Sequence, residues 1–500
     1  MKKLLCLFVS ALLLLSVVGT ATAQDRKIKD TIVFAQSADA TSLDPHEIVN
    51  LRSFGVYSNI YEGLVALDAD GEIVPALATE WEQIDEKSFR FTLRDGVMFH
   101  NGEKLTSEDV KFSFERMINS KIVSTYVSFL ESVEVVDELN FIMHMKIPYS
   151  QLMITLTIPC CTIVSKKAVE DAGEAFGRNP VGTGPYKFVE WRESESITLT
   201  ANENYWGEAA KTKNLMMRVI PEGSQRSIML ETGEVDVGYD ILANDAKRML
   251  DDPNLTLLHE VGQRFSVVYF KANSQGPVGN PAVRRALEYA IDKDELVDAV
   301  VYGFGQSGSL YGTPKTNGYN PEKDLVEYNP EKAKQLLAEA GYPDGFKLGI
   351  YTQEGQVYVE IAQILQAQLH DIGIQADIIT LENNTLNQKV YDGEEIEMRI
   401  SFYNNLAGDL DFAITKLATD AYGTTYFNEE VDKLREEARA AFDDAERAAI
   451  YDKFLDLMAQ DKPWMTLYYE QNLVGISKNV DGFVMSPIGA HQYKNVVVYE

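Results

Sequence analysis

Short signals for strand and helix alternate along the whole chain, and this alternation limits the fold more than any other feature. Phe89, Phe91 and Leu93 alternate with Arg90, Thr92 and Arg94, the period-two pattern of a strand buried on one face. Asp95-Gly96 and Asn101-Gly102 turn the chain on either side of Val97-Met98-Phe99, a hairpin signal. Thr106-Ser107-Glu108-Asp109 then reads as a capping box, with Val110, Phe114 and Met117 following at helical spacing. Asn280-Pro281 opens a helix predicted to run to Val301, with Val283, Ala286, Leu287, Ala290 and Ile291 on one face. Asn329-Pro330 opens another, with Ala333, Leu336, Leu337 and Ala340, closed by Gly341. Asn caps the first turn, and proline fits there because its missing N–H had no partner to lose. Strand patterns such as Val267 to Phe270 and Lys347 to Tyr351 lie between the helices. The pattern predicts a mixed α/β protein of several domains.

The first 23 residues stand apart from this pattern. Lys2 and Lys3 precede an apolar run from Leu4 to Val18, and Ala21-Thr22-Ala23 follows as a small-residue cleavage site. That order is a secretory signal peptide and predicts a mature start at Gln24. The run is too short for a spanning helix of about 20 residues. Cys6 precedes most of it, where cleavage cannot occur, so no lipid anchor is expected. The expected compartment is the periplasm. The roughly 477 residues that remain exceed one hydrophobic core, which stops growing near 250–300 residues. Loss of Lys2 and Lys3 takes the formal net charge from −30 to −32. Such a surface repels nucleic acid and anionic lipid, so no nucleic-acid partner is expected.

Chemistry-bearing motifs are sparse. His46, His100, His144, His259, His370 and His491 are scattered without metal-ligand spacing, so no metal and no cofactor are expected. Gly303-Phe304-Gly305-Gln306-Ser307-Gly308 matches a dinucleotide-binding string. However, it follows a predicted helix and enters a Gly- and Pro-rich loop, the wrong context for that use. Cys160 and Cys161 are adjacent, a spacing that strains a disulfide.

Trp81 to Met117 reads WEQIDEKSFRFTLRDGVMFHNGEKLTSEDVKFSFERM. SLDPH (Ser42 to His46), NIYEGL (Asn59 to Leu64), NPVGTGPYKFVEW (Asn179 to Trp191), NPAVRRALEYAID (Asn280 to Asp292) and YNPEKAKQLLAEAGYPDGF (Tyr328 to Phe346) accompany it in order. Together they resemble family 5 of the bacterial extracellular solute-binding proteins, the peptide/nickel-binding group, from about Thr31 to Phe483. The resemblance implies an α/β, two-lobed Venus-flytrap periplasmic binding protein with an additional inserted domain (type II, cluster C). By analogy, domain I collects residues 24–66, 182–264 and 472–500. Domain II, the insertion, spans 67–181, and domain III spans 265–471. The implied role is the substrate-binding component of an ABC importer. It would bind a short peptide between its lobes as a monomer, hand it to the transmembrane permease, and perform no catalysis. A nickel or metal-chelate receptor, a receptor for another small solute, and an exported hydrolase are the alternatives.

The same resemblance nominates ligand-binding residues. The loop Phe402-Tyr403-Asn404-Asn405-Leu406-Ala407-Gly408-Asp409-Leu410-Asp411-Phe412 is similar to the family loop that holds a peptide amino group. Where dipeptide-type members carry Asp, this chain has Asn404 or Asn405. Its acid falls instead at Asp409, as in glutathione-type members. Asp409 is expected to meet an amino group, or else to cap the next helix with Asp411. Arg264, where the chain crosses between lobes, is expected to fork onto a carboxylate, or else to form a salt bridge. Ser37, Ala38 and Asp39 follow the first strand, where such receptors bring backbone to the ligand. Tyr311, Phe402 and Tyr403, with Tyr57 and Tyr61, line the cleft or pack in the core.

Overall fold

The computed structural model describes residues 26–68, 71–421 and 423–500. The predicted leader and the Gln24 start lie outside the described residues.

Local signals placed several elements. The capping box forms: Asp109 Oδ2 accepts from Thr106 N (3.1 Å) at the head of the helix Ser107–Ile118. Asn280 Oδ1 accepts from Ala282 N (2.9 Å) and Asn329 Oδ1 from Lys332 N (3.0 Å), heading the helices Pro281–Tyr289 and Pro330–Glu339. The helix predicted to reach Val301 is instead two, Pro281–Tyr289 and Lys293–Val301. Asp292 restarts it by accepting from Glu295 N (3.0 Å), while its own N–H donates to Gln368 Oε1 (3.0 Å). Apolar spacing ran through this break because both halves bury the same face. The glycine-rich string 303–308 is no phosphate loop. Gly305–Ser307 is a short strand on Tyr468–Glu470.

One large sheet runs through two lobes in the order 375–381, 347–353, 398–404, 255–270, 464–477, 237–238, 31–36, 214–219, 196–201, 186–192. Two long strands, Leu255–Phe270 and Trp464–Ser477, belong to both lobes. They pair from Leu255↔Ser477 to Val261↔Gln471, and again from Phe265↔Tyr469. Between these stretches Gly262, Gln263 and Arg264 stand against Glu470, so the ladder breaks where the chain passes between lobes. A second sheet, antiparallel in the order 78–85, 88–93, 140–145, 130–135, packs onto the first lobe. Its Phe91 and Phe141 stack with ring centroids 5.2 Å apart. One continuous core joins it to Ile32, Phe34, Leu199 and Leu215 of the large sheet.

The second lobe covers both faces of its part of the large sheet. Val268, Ile350, Met398 and Ile400 face the helices Pro281–Tyr289 and Gln356–Asp371, while Phe265, Val267 and Tyr403 face Asp444–Asp461. No helix among the described residues is long and apolar enough to cross a membrane.

Candidate functional site

Strand direction locates the site. Strand 464–477 runs away from the crossing in the first lobe, and Val237–Gly238 is antiparallel to it. Thr31–Gln36 is parallel to Val237–Gly238, so its carboxyl end, Gln36, points back at the crossing. In the second lobe Met398–Asn404 is antiparallel to 255–270 and parallel to Lys347–Gln353, so Asn404 and Gln353 also point at it. The carboxyl ends of parallel strands from both lobes therefore converge on one crevice, the usual place for a ligand in open α/β sheets.

The first-lobe wall is built around Asp240. It follows Val237–Gly238 with φ +50°, a left-handed conformation that a non-glycine residue adopts at a cost. Arg226 maintains it. The buried guanidinium donates to the carbonyls of Tyr239 (3.1 Å), Asp240 (2.6 Å), Ile220 (2.7 Å) and Pro221 (3.0 Å), tying two strand-end loops together. The Asp240 carboxylate accepts from Ser37 Oγ (2.9 Å) and pairs with Arg52 (3.0 Å), and its side chain stays 33% exposed. Ser37 is partly exposed and Ala38 exposed. Asp39 turns away: its carboxylate accepts from Trp191 Nε1 (3.0 Å) and Ser194 N (2.8 Å), fixing the hairpin of the strands 186–192 and 196–201.

At the crossing stands Arg264. It forms an ion pair with Glu470, and its guanidinium lies 4.0 Å from the Phe402 ring centroid. Burial works most strongly against its charge, but Glu470, Tyr358 and Tyr468 together hold the guanidinium pKa above its ordinary value. The side chain is 34% exposed. Tyr358 packs edge-on against Phe402 at 5.2 Å, and Asn404, opposite Arg264 in the ladder, is partly exposed. Beside Arg264, Gln263 ties the surrounding loops. Its Nε2 donates to Lys315 O (2.7 Å), its Oε1 accepts from Thr316 Oγ1 (2.8 Å), and its carbonyl accepts from Asn405 N (2.9 Å).

The loop expected to carry the amine-binding acid is folded inward. Asp409 is 1% exposed. Its carboxylate accepts from Tyr451 OH, from Asn317 Nδ2 (2.7 Å) and from Asp411 N (2.9 Å), the last at the start of the helix Asp411–Leu417. Burial pushes its pKa above the usual carboxylate range, against those hydrogen bonds. Asp411 is likewise spent, on Arg439 (2.8 Å). Asn405 closes its own loop, donating to Asp409 O (3.0 Å) and accepting from Gly408 N (3.1 Å).

Four aromatics nominated by sequence sit in interiors instead of the crevice. Tyr311 donates to Trp464 O (2.7 Å) beside Phe454, Tyr403 packs on Phe265 and Trp464, and Tyr57 and Tyr61 are buried in the first-lobe core. The structure thus places Arg264, Phe402 and Asn404 at the lobe crossing and Ser37 and Ala38 at the first-lobe strand end that points toward it, and buries Asp409, Asn405, Tyr311 and Tyr403. Asp240, Arg52, Glu470 and Tyr358 join the site without having been read from sequence. For Asp240 the local signal was the alternation Val235, Val237 just ahead of it. Nothing local marks the others.

Residues 72–429 match the model of the bacterial extracellular solute-binding proteins, family 5. Heme-binding protein A of Haemophilus influenzae is 30% identical, over 94% of this chain and 92% of its own. The glutathione-binding protein of Salmonella paratyphi A is 29% identical over 92% of each. The periplasmic binding protein of Helicobacter pylori solved with the peptide STSA superposes with a TM-score of 0.82 at 28% identity, over 95% of this chain and 99% of that one.

Proposed function

We propose that this chain, which belongs to family 5 of the bacterial extracellular solute-binding proteins, captures a short peptide, modified peptides such as glutathione included, between its lobes and releases it unaltered to an ABC permease. The observation that carries this reading is the charge arrangement of the crevice. One wall holds Asp240 with Arg52, the crossing holds Arg264 with Glu470, and all four side chains are between a quarter and a third exposed. A zwitterion brings one charge of each sign. Closing lobes over it strips water from both ends, so each needs a partner already in place. Asp240 then answers the amino group and Arg264 the carboxylate. Phe402 orients the Arg264 fork, and Ser37, Ala38 and Asn404 offer polar edges. Asp409 shapes the loop from behind.

The same reading assigns the lobes. Domains I and II, 24–66, 67–181, 182–264 and 472–500, form one jaw, and domain III, 265–471, the other. The hinge is the broken ladder at Gly262 to Arg264. The protein acts as an exported monomer without metal, cofactor or catalysis.

The names of the relatives point to glutathione, which falls within this proposal, and to heme, which does not. Mass spectrometry of what denaturation releases from protein purified from its own periplasm separates them. A peptide or glutathione supports the proposal, and a tetrapyrrole or a metal chelate refutes it.

A further inference from the structure

Away from the crevice, the lobes touch at a second place. The helix Glu429–Ala440 of the second lobe ends against the first lobe. The last carbonyls of any helix lack intrahelical partners. Here residues 150 and 151 of the other lobe supply them. Ser150 N donates to Arg439 O (2.8 Å) and Ser150 Oγ to Ala438 O (3.1 Å). Gln151 Nε2 donates to Ala438 O (3.4 Å) and to Tyr451 OH (3.1 Å), and Tyr451 OH in turn donates to Asp409. On the first-lobe side Tyr149 stacks on Phe129 at 4.1 Å just before Ser150, and the short helix Leu152–Thr155 follows at once. Phe89 and Phe442, 6.2 Å apart, add an apolar contact across the same seam.

We infer that Ser150 and Gln151 form a latch that caps this helix across the lobes and sets how far the protein stays closed, without touching ligand. They are positioning residues for capture. Two features keep the latch reversible. Gln151 is 3% exposed, yet its Oε1 has no hydrogen-bond partner, so closing buries an unpaired acceptor. When the lobes part, water can replace every donor the seam supplies. The contact thus leaves ligand to decide the balance between closed and open.

The latch rests on the lobes opening and closing, not on the identity of the ligand, and its test is chosen accordingly. Spin labels at Glu131→Cys and Glu436→Cys, exposed residues on opposite lobes, report separation in the ligand-free full chain. Cys160 and Cys161 are fully buried and stay unlabelled. Gln151→Glu replaces the donor with a carboxylate facing Ala438 O and the Tyr451–Asp409 pair. The distance distribution should shift to longer values while far-ultraviolet circular dichroism stays unchanged. Ser150→Ala with Phe442→Ala should shift it the same way, and this pair stands in should Gln151→Glu fail to fold. Glutathione, as the binding probe, should lose at least tenfold in affinity for Gln151→Glu. Absence of glutathione binding to the unaltered protein would count against the proposed ligand and leave the distance measurement standing. Distributions indistinguishable from the unaltered protein in both variants would overturn the latch.

Discussion

The two lobes treat their histidines differently. In the first lobe, burial pushes the pKa of His46, His100 and His491 down to about 4 each, so all three rings are held neutral. Buried ion pairs occur in both lobes, Asp44 with Arg116 in the first and Glu288 with Lys293 and Asp411 with Arg439 in the second, but in the second lobe the one histidine, His370, is exposed. At the crevice the contrast takes another form. The first lobe leaves its acid, Asp240, open beside Arg52, whereas the second seals Asp409 among hydroxyl, amide and backbone donors. An acid in the family's ligand loop is therefore not by itself a ligand acid. What decides is whether the fold leaves the carboxylate open: Asp240 also has partners, Ser37 and Arg52, but stays a third exposed, whereas Asp409 is sealed.

Acid gives the largest way to sharpen the contrast. The unfolded chain takes up protons on those rings near pH 6.5, whereas the folded lobe resists until about pH 4. Their stability contribution is complete above about pH 6.5 and falls as pH drops toward 4, by roughly 3 kcal/mol per ring. Glu62 and Glu47, whose pKa values burial raises, work in the opposite sense, but they are two groups against three. Asp409, also raised by burial, is relieved by acid in the second lobe. Hydrogen exchange followed from pH 7 to pH 4 should therefore show first-lobe segments around residues 46, 100 and 491 losing protection before segments around 288 and 409. Simultaneous loss would erase the distinction between the lobes.

Asp409→Ala comes next. Tyr451, Asn317 and the Asp411 N–H would all lose their acceptor in a buried site, a loss of about 3–5 kcal/mol by analogy with broken buried pairs. Chemical denaturation of the ligand-free protein reads it. A change below about 1 kcal/mol would mean that the carboxylate is not the scaffold described. Asp240→Asn should behave the opposite way. Asn tolerates the left-handed backbone and can still accept from Ser37, so ligand-free stability should hold within about 1 kcal/mol. Peptide affinity should fall by about 2–4 kcal/mol as a desolvated charge pair is lost. Affinity equal to the unaltered protein would remove Asp240 from the site. The smallest effect belongs to Arg264→Lys. It keeps the charge beside Glu470 but loses the fork over Phe402, so calorimetry should show about 1 kcal/mol weaker binding, less than for Arg264→Ala.

How much of this was legible in the sequence follows from the range of each interaction. Thr106 with Asp109, Asn280 with Ala282 and Asn329 with Lys332 act within one turn, so the starts of their helices were read correctly. Asp292 with Glu295 is just as local, yet it was missed because an unbroken apolar face masked the restart. The site was harder. Ser37 meets Asp240 across 203 positions and Arg264 meets Glu470 across 206, distances at which no periodicity speaks. Arg264 was found only because the family resemblance located the lobe crossing. Asp409 was nominated by the same resemblance. Its partners, Tyr451 and Asn317, lie 42 and 92 positions away, so the sequence could not show that its oxygens were already taken.

Capture of a zwitterionic peptide in the crevice is the central claim, and titration calorimetry tests it most directly. Glutathione and a panel of di- to pentapeptides would be titrated into ligand-free protein, and the mixtures then checked by mass spectrometry. The account predicts at least one member bound at one site per chain, with a Kd in the micromolar range or tighter, roughly −8 kcal/mol, and recovered chemically unchanged. Failure of every peptide and of glutathione to bind, or cleavage of the one that does, would contradict it.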